Sequence, residues 1–181
     1  AVLLRPLPYQ DPAQLVSFRS NQSVPDVQDI GQWNQTFADI GGNTIAPLDY
    51  LSGAEPTQWR AGMVTGTFFR TLGVQPYLGR TITAEDDKPG GAFVVVLSHG
   101  LWRDQFGGDK SVIGKTVNLS GNNYEVVGVM PAGFKTPRDD SEAWTPVSVT
   151  MKEAAVYRGV HFLRAYARLK PGVGIQQALE D

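Results

Sequence analysis

The stretch Gly108-Asp-Lys-Ser-Val-Ile-Gly114-Lys115-Thr116 has the ingredients of a phosphate-cradling loop: two glycines, a lysine and a hydroxyl residue. A nucleotide loop needs four residues between its glycines so that successive backbone N–H groups wrap the phosphates. Here five residues intervene, and Asp109 stands where the first glycine should be. The cradle must also run from strand to loop to helix N-terminus, whereas this segment follows a helical stripe and leads into a strand pattern. Nucleotide chemistry is not expected there.

The carboxylates offer two clusters. Glu85-Asp86-Asp87 could supply half of a cation site, but calcium loops spread their oxygens over a dozen residues and no further ligands lie nearby. Thr83-Ala-Glu-Asp86 also fits a capping box, so these acids read as a cap or solvated turn. Asp139-Asp140, inside Pro-Arg-Asp-Asp-Ser, reads as an exposed loop. Ser98, His99 and Asp104 could be arranged as nucleophile, base and acid, yet neighbouring side chains face apart. Val96 and Gly100 supply only one of the two glycines of a nucleophile elbow. The second of the two histidines, His161, opens a strand pattern and reads as a half-exposed sheet residue. Arg164, Arg168 and Lys170 read as the wet face of an edge strand. Trp33, Trp102 and Phe106 lie on helical stripes and read as core.

Composition narrows the classes further. With no cysteine in the chain, disulfides, thiolate catalysis and iron–sulfur clusters are excluded. Sixteen basic against eighteen acidic residues give a net charge of −2, too little positive charge to grip nucleic acid through its phosphates. The longest apolar run, Ala92 to Leu97, is far short of the ~20 residues of a membrane helix. The chain opens without Met and stops inside a helical pattern, and is read as a piece of something longer. No catalytic, cofactor-binding or metal-ligating residue set is expected. A binding or force-transmitting role fits better than an enzyme.

The elements that would position these residues follow from periodicity and punctuation. Gln14 to Arg19 alternates as a short strand. Ser23-Val-Pro-Asp26 caps a helix whose stripe Val27, Ile30, Trp33 or Asn34, Phe37 and Ile40 is expected to run to Gly41-Gly42. Strands around Thr44 to Leu51 and Gln58 to Thr65 form a hairpin, and a short helix from Thr67 to Leu72 closes at Gly73. From Val74 the texture becomes Pro- and Gly-punctuated. Phe93 to Leu97 is a strand, Ser98 caps a helix ending at Gly107-Gly108, and Lys115 to Leu119 and Tyr124 to Met130 flank a turn at Ser120-Gly121-Asn122-Asn123. In the second of these strands Tyr124 and Val126 share one face, with Val127 and Val129 on the other. A last strand alternates Phe162, Arg164, Tyr166 and Arg168 against Leu163, Ala165, Ala167 and Leu169, and a helix begins near Ile175. Without residues 75–159 the order is strand, helix, strand, strand, helix, strand, the ferredoxin-like split β-α-β arrangement. The fold class is therefore α+β, with residues 1–74 and 160–181 forming one subdomain and 75–159 inserted in it as a mainly β module.

Several phrases in order resemble the MacB-like periplasmic core domain of bacterial ABC transporter permeases, in particular the large permeases of acidobacterial type. They are Leu3-Leu4-Arg5-Pro6-Leu7-Pro8-Tyr9 with Asp11-Pro12, Phe68-Phe69-Arg-Thr-Leu72-Gly73-Val74, Leu78-Gly79-Arg80, Val96-Leu97-Ser98 with Trp102, Phe106-Gly107-Gly108-Asp109, Ile113-Gly114, Val127-Gly128-Val129-Met130-Pro131 and Ala167-Arg168-Leu169-Lys170-Pro171-Gly172. Gly174 departs from the Ser or Thr that often caps the last helix in this family, a loss of a few tenths of a kcal/mol. The resemblance implies a periplasmic domain between the first two membrane helices of a permease, built from a porter subdomain and an inserted Sabre subdomain. It also implies partners: the permease's own transmembrane helices, a second permease copy, an ATP-binding subunit, and in some systems a membrane-fusion-type adaptor. ATP hydrolysis by a separate domain would drive movement here, with no cofactor bound. Two rival readings remain, a stand-alone solute-binding module and a hydrolase using Ser98 and His99. An apolar helix is expected just before Ala1.

Overall fold

A computed structural model describes residues 9–180. Six of the seven residues of the opening family-like phrase, Leu3 to Pro8, lie outside the described residues. Nine strands form one sheet: β1 (Leu15–Ser17), β2 (Phe37–Tyr50), β3 (Thr57–Val64), β4 (Leu78–Gly79), β5 (Val94–Leu97), β6 (Thr116–Leu119), β7 (Asn122–Val129), β8 (Ala143–Pro146) and β9 (Arg164–Leu169). The helices are α1 (Val24–Trp33), α2 (Phe68–Leu72), α3 (His99–Phe106), α4 (Val147–Thr150), α5 (Lys152–Ala155) and α6 (Ile175–Glu180). The succession of the major elements is the expected one, and the architecture is α+β.

The strand order is β1-β9-β2-β3-β8-β5-β7-β4, and β6 pairs with both β7 and β2. That second pairing closes a ring of six strands, β2-β3-β8-β5-β7-β6. The seam is a single residue pair, Tyr50 with Leu119, reinforced by Leu51 N–H to Asn118 O and Ser120 N–H to Asp49 O. Closure removes an exposed edge and encloses a core. Its filling includes Leu48, Trp59, Met63, Leu97, Val117, Leu119, Tyr124 and Val126, with Trp102 of α3 packed against them. Tyr50 and Trp59 stack at 4.5 Å between ring centroids. On the opposite face α2 and the loops cover Val64, Val96, Val127, Trp144 and Tyr166.

Four expectations are corrected. First, α1 stops at Trp33, because Asn34 turns extended, its Oδ1 accepting the Phe37 N–H. Phe37 and Ile40 continue the helical spacing by coincidence and belong to β2. Gly41 lies in mid-strand, where a Cβ would sit 2.6 Å from the Phe68 Cα; glycine is there because the backbone of α2 crosses it, not to end a helix. Second, Val127 and Val129 do not share a face. The β5–β7 register shifts between Val95 and Val96, a bulge that sends Val127 to one core and Val129 to the other. Third, β9 is no edge strand, since β1 and β2 flank it. Arg168 is accordingly not a wet residue: its guanidinium donates to the carbonyls of Thr71 (2.8 Å) and Leu72 (3.0 Å) at the C-terminus of α2, where a cation offsets the helix dipole. Fourth, Trp33 is 74% exposed and not core.

Candidate functional site

The residues that invited a catalytic reading turn out to be spent on structure. Ser98 Oγ accepts the Leu101 N–H at 3.1 Å and caps α3. The ring of His99 lies against Tyr77 and Trp102, with centroids 5.8 and 5.2 Å away. Asp104 pairs with Arg103 on the exposed surface. Nothing here assembles a nucleophile, its base and an orienting acid. In the glycine-lysine stretch, the Asp109 carboxylate accepts from Ser111, and its carbonyl accepts the Trp102 indole N–H at 2.9 Å. The segment locks α3 onto the barrel.

The first acidic cluster keeps the expected cap contact, Asp86 accepting the Thr83 N–H, but is withdrawn from solvent, and Asp139 of the second is not in an open loop. Asp86 is buried, 6% exposed. It takes the Arg80 guanidinium in two contacts of 2.7 and 3.0 Å together with the N–H and hydroxyl of Thr83. Burial alone would raise its pKa, but the arginine and threonine donors outweigh burial and hold it below the ordinary carboxylate value. Asp87 is also withdrawn from water, with burial pushing its pKa up despite bonds from Gly66 N–H (2.9 Å) and Ser148 N–H (2.8 Å). Gly66 is packed tightly, a Cβ there lying 2.5 Å from Ala84 Cα. Asp87 thus ties the turn before α2 to the start of α4. Asp139 is no loose loop residue either, since it accepts from the buried Asn43 amide at 2.7 Å and from Thr136 and Ser141.

Two surface features gather around α1. At its start Ser23 and Asp26 form a reciprocal capping box. Asp26 further meets Arg158 (3.0 Å) and His161 (3.2 Å), and Asp29 takes the same arginine at 2.7 Å. The Ser23 hydroxyl's neighbourhood and the Arg158 charge hold Asp26 below the usual carboxylate range. This cluster pins the segment before β9 to the helix. At the other end Trp33 leaves the molecule beside Phe18, Ile30 and Phe37, over an apolar cleft of about 410 Å³ that Ala178 of α6 borders. A second cleft, of about 390 Å³, lies between α1, the first half of β2, the turn before α2 and Asp87. Composition and periodicity did not reveal either surface. Among the described residues no group of three or more His, Asp or Glu side chains is placed to hold a metal, and no helix is long and apolar enough to cross a membrane.

Comparison with known proteins bears on the whole chain. In structure it is similar to the periplasmic region of MacB from Actinobacillus actinomycetemcomitans, with a TM-score of 0.70 at 18% identity over 89% of this chain and 71% of that one. It is also similar to the extracellular domain of the noncanonic ABC-type transporter YknZ from Gram-positive bacteria, with a TM-score of 0.65 at 17% identity over 91% and 78% of the two chains. No curated protein matches it in sequence. The sequence profile of the MacB-like periplasmic core domain matches residues 4–181, and the chain therefore belongs to the family of MacB-like periplasmic core domains of ABC transporter permeases.

Proposed function

We propose that this domain is a non-catalytic relay on the extracytoplasmic face of the membrane, passing ATP-driven motion of its permease to substrate efflux or to a partner protein. Its own membrane helices, a second permease copy and a separate ATP-binding subunit are the partners this reading requires, and a membrane-fusion-type adaptor is a further one. Residues 75–159 act as the Sabre-like module and the remainder as the porter-like module, joined through one continuous sheet that transmits force as a packed body. The observation that carries the reading is the family match across residues 4–181. The structural use made of Ser98 and His99 weighs against the hydrolase reading.

Calorimetry of the domain with Mg-ATP tests it first, with no binding heat expected. In the reconstituted transporter, a disulfide engineered across the paired extracytoplasmic domains is expected to block efflux and to release it on reduction. Micromolar ATP binding by the domain, or efflux indifferent to the cross-link, would overturn the relay.

A further inference from the structure

The cleft beneath α1 has a chemical bias that the relay does not use. Its apolar walls are Val24, Val27 and Ile40, each at most 3% exposed. Most of its polar lining is spent internally. Asn34 Nδ2 donates to the Ile30 carbonyl and Asn34 Oδ1 accepts from Phe37 N–H. Thr67 Oγ1 donates to the Ile40 carbonyl, Thr65 Oγ1 accepts the Gly42 N–H, and Arg70 is taken by Asp39. Asp87 is the exception. Its oxygens accept the backbone N–H groups of Gly66 and Ser148 and a further bond from the Ser148 side chain, which leaves one lone-pair site open. Among the described residues no basic side chain pairs with it, while Asp86 next in sequence has Arg80. With Asp39 and Arg70 cancelling, the cleft keeps one uncompensated negative charge beside an apolar wall.

We propose that this cleft binds a small organic amine, with the ammonium on the Asp87 carboxylate and the hydrocarbon part along the groove over Phe37 and Ala38. Its volume of about 390 Å³ falls in the range of small-molecule sites, ~300–1,000 Å³, and it has their character of apolar walls with few polar groups. A cation of this kind compensates a half-buried carboxylate that no basic side chain among the described residues meets. An anion of the same size meets repulsion, and a neutral alcohol keeps only the apolar contact. The proposal stands independently of the relay, since any soluble form of the chain should show it.

Hexylammonium, hexanol and hexanoate, titrated separately into the 181-residue chain and followed by amide chemical shifts, discriminate these cases. Hexylammonium is expected to saturate, moving the Gly66, Asp87 and Ser148 amides. Hexanol should bind at least about tenfold more weakly, and hexanoate should leave those amides unmoved. Asp87→Asn should cost at least about tenfold in hexylammonium affinity. Because that change also touches the turn it braces, Gln28→Trp serves as a second variant. Gln28 is an exposed wall residue of the cleft, and an indole there should block binding while leaving the melting temperature unchanged. Equal affinities for amine and alcohol, a folded Asp87→Asn or Gln28→Trp variant that binds as well as the native chain, or no saturable response would each overturn the site.

Discussion

Trp33 on α1 and Trp102 on α3 sit on helices built to one recipe, and they end in opposite environments. Both helices begin at a serine whose hydroxyl accepts a backbone N–H three residues on. In α3 the tryptophan is 6% exposed, packs with the barrel core and gives its indole N–H to the Asp109 carbonyl. In α1 the tryptophan is 74% exposed. The difference lies in what each helix covers. The barrel core covers Trp102 of α3, whereas α1 rests on β2 with Val24 and Val27 of its first turns buried and Trp33 of its last turn left uncovered. An apolar stripe therefore tells where a helix would like to be covered, not what covers it.

The largest test of this contrast is a pair of truncations. Trp102→Ala empties a core position and takes the indole donor from the Asp109 carbonyl, and about 3–5 kcal/mol of unfolding free energy should be lost. Trp33→Ala should stay within about 0.5 kcal/mol of the native chain, as exposed substitutions do. Urea denaturation followed by the fluorescence of the remaining tryptophans measures both. A Trp33→Ala loss comparable to that of Trp102→Ala would mean that the α1 end is structural after all.

What the sequence disclosed and what it hid divide along the same line. The caps at Ser23 and Ser98, the left-handed stops at Gly73 and Gly107, and the Ser120-Gly121 turn are set by residues within a few positions of one another, so their chemistry was legible. Ser120 and Gly121 both have positive φ, as a tight hairpin turn demands. The misread elements depend on distant chain. Gly41 is dictated by Phe68, the bulge at Val127 by the partner strand, the pairing of Arg168 by the end of α2, and the bonds of Asp87 by Gly66 and Ser148. Of the candidate sites, the dismissal of Ser98 and His99 as a catalytic pair could be argued from sequence, because capping is local. The α1 cleft could not, because Thr83-Ala-Glu-Asp-Asp looks the same whether or not its last acid faces water.

The caps give a test of intermediate size. Ser98→Ala removes one hydrogen bond from a helix that packing already holds, and ~1 kcal/mol is the expected cost. Ser23→Ala removes the hydroxyl half of the capping box, leaving the Asp26 N–H without its acceptor at a site where Ser23 itself is fully buried. It should cost nearer ~2 kcal/mol. Hydrogen exchange separates the two locally: α1 amides should lose protection in Ser23→Ala, while α3 amides in Ser98→Ala should change little. The reverse ranking would show that α1 depends on packing as heavily as α3 does.

The smallest effect concerns the charges that fasten α1. The Asp26 pKa is lowered chiefly by its bond with the Ser23 side chain and further by Arg158. A carboxyl that is more acidic folded than unfolded stabilises the fold while ionised. That contribution is complete above the unfolded value of about 4 and is lost as pH falls through the lower folded value. Arg158 and His161 are more than half exposed, at 61% and 53% of their side chains, so solvent screens their share. The whole cluster should therefore contribute little to stability. Asp26→Asn should accordingly be slightly less stable than the native chain near neutral pH. The gap should narrow as the medium is acidified below about pH 4, and should shrink in high salt. The matching ion pair on α3, Arg103 with Asp104, is about two-thirds exposed on both sides, and Asp104→Asn should leave stability near neutral pH unchanged. If both substitutions behaved alike, the α1 end would owe nothing to its charges, and apolar contact by Val24 and Val27 alone would have to account for its attachment.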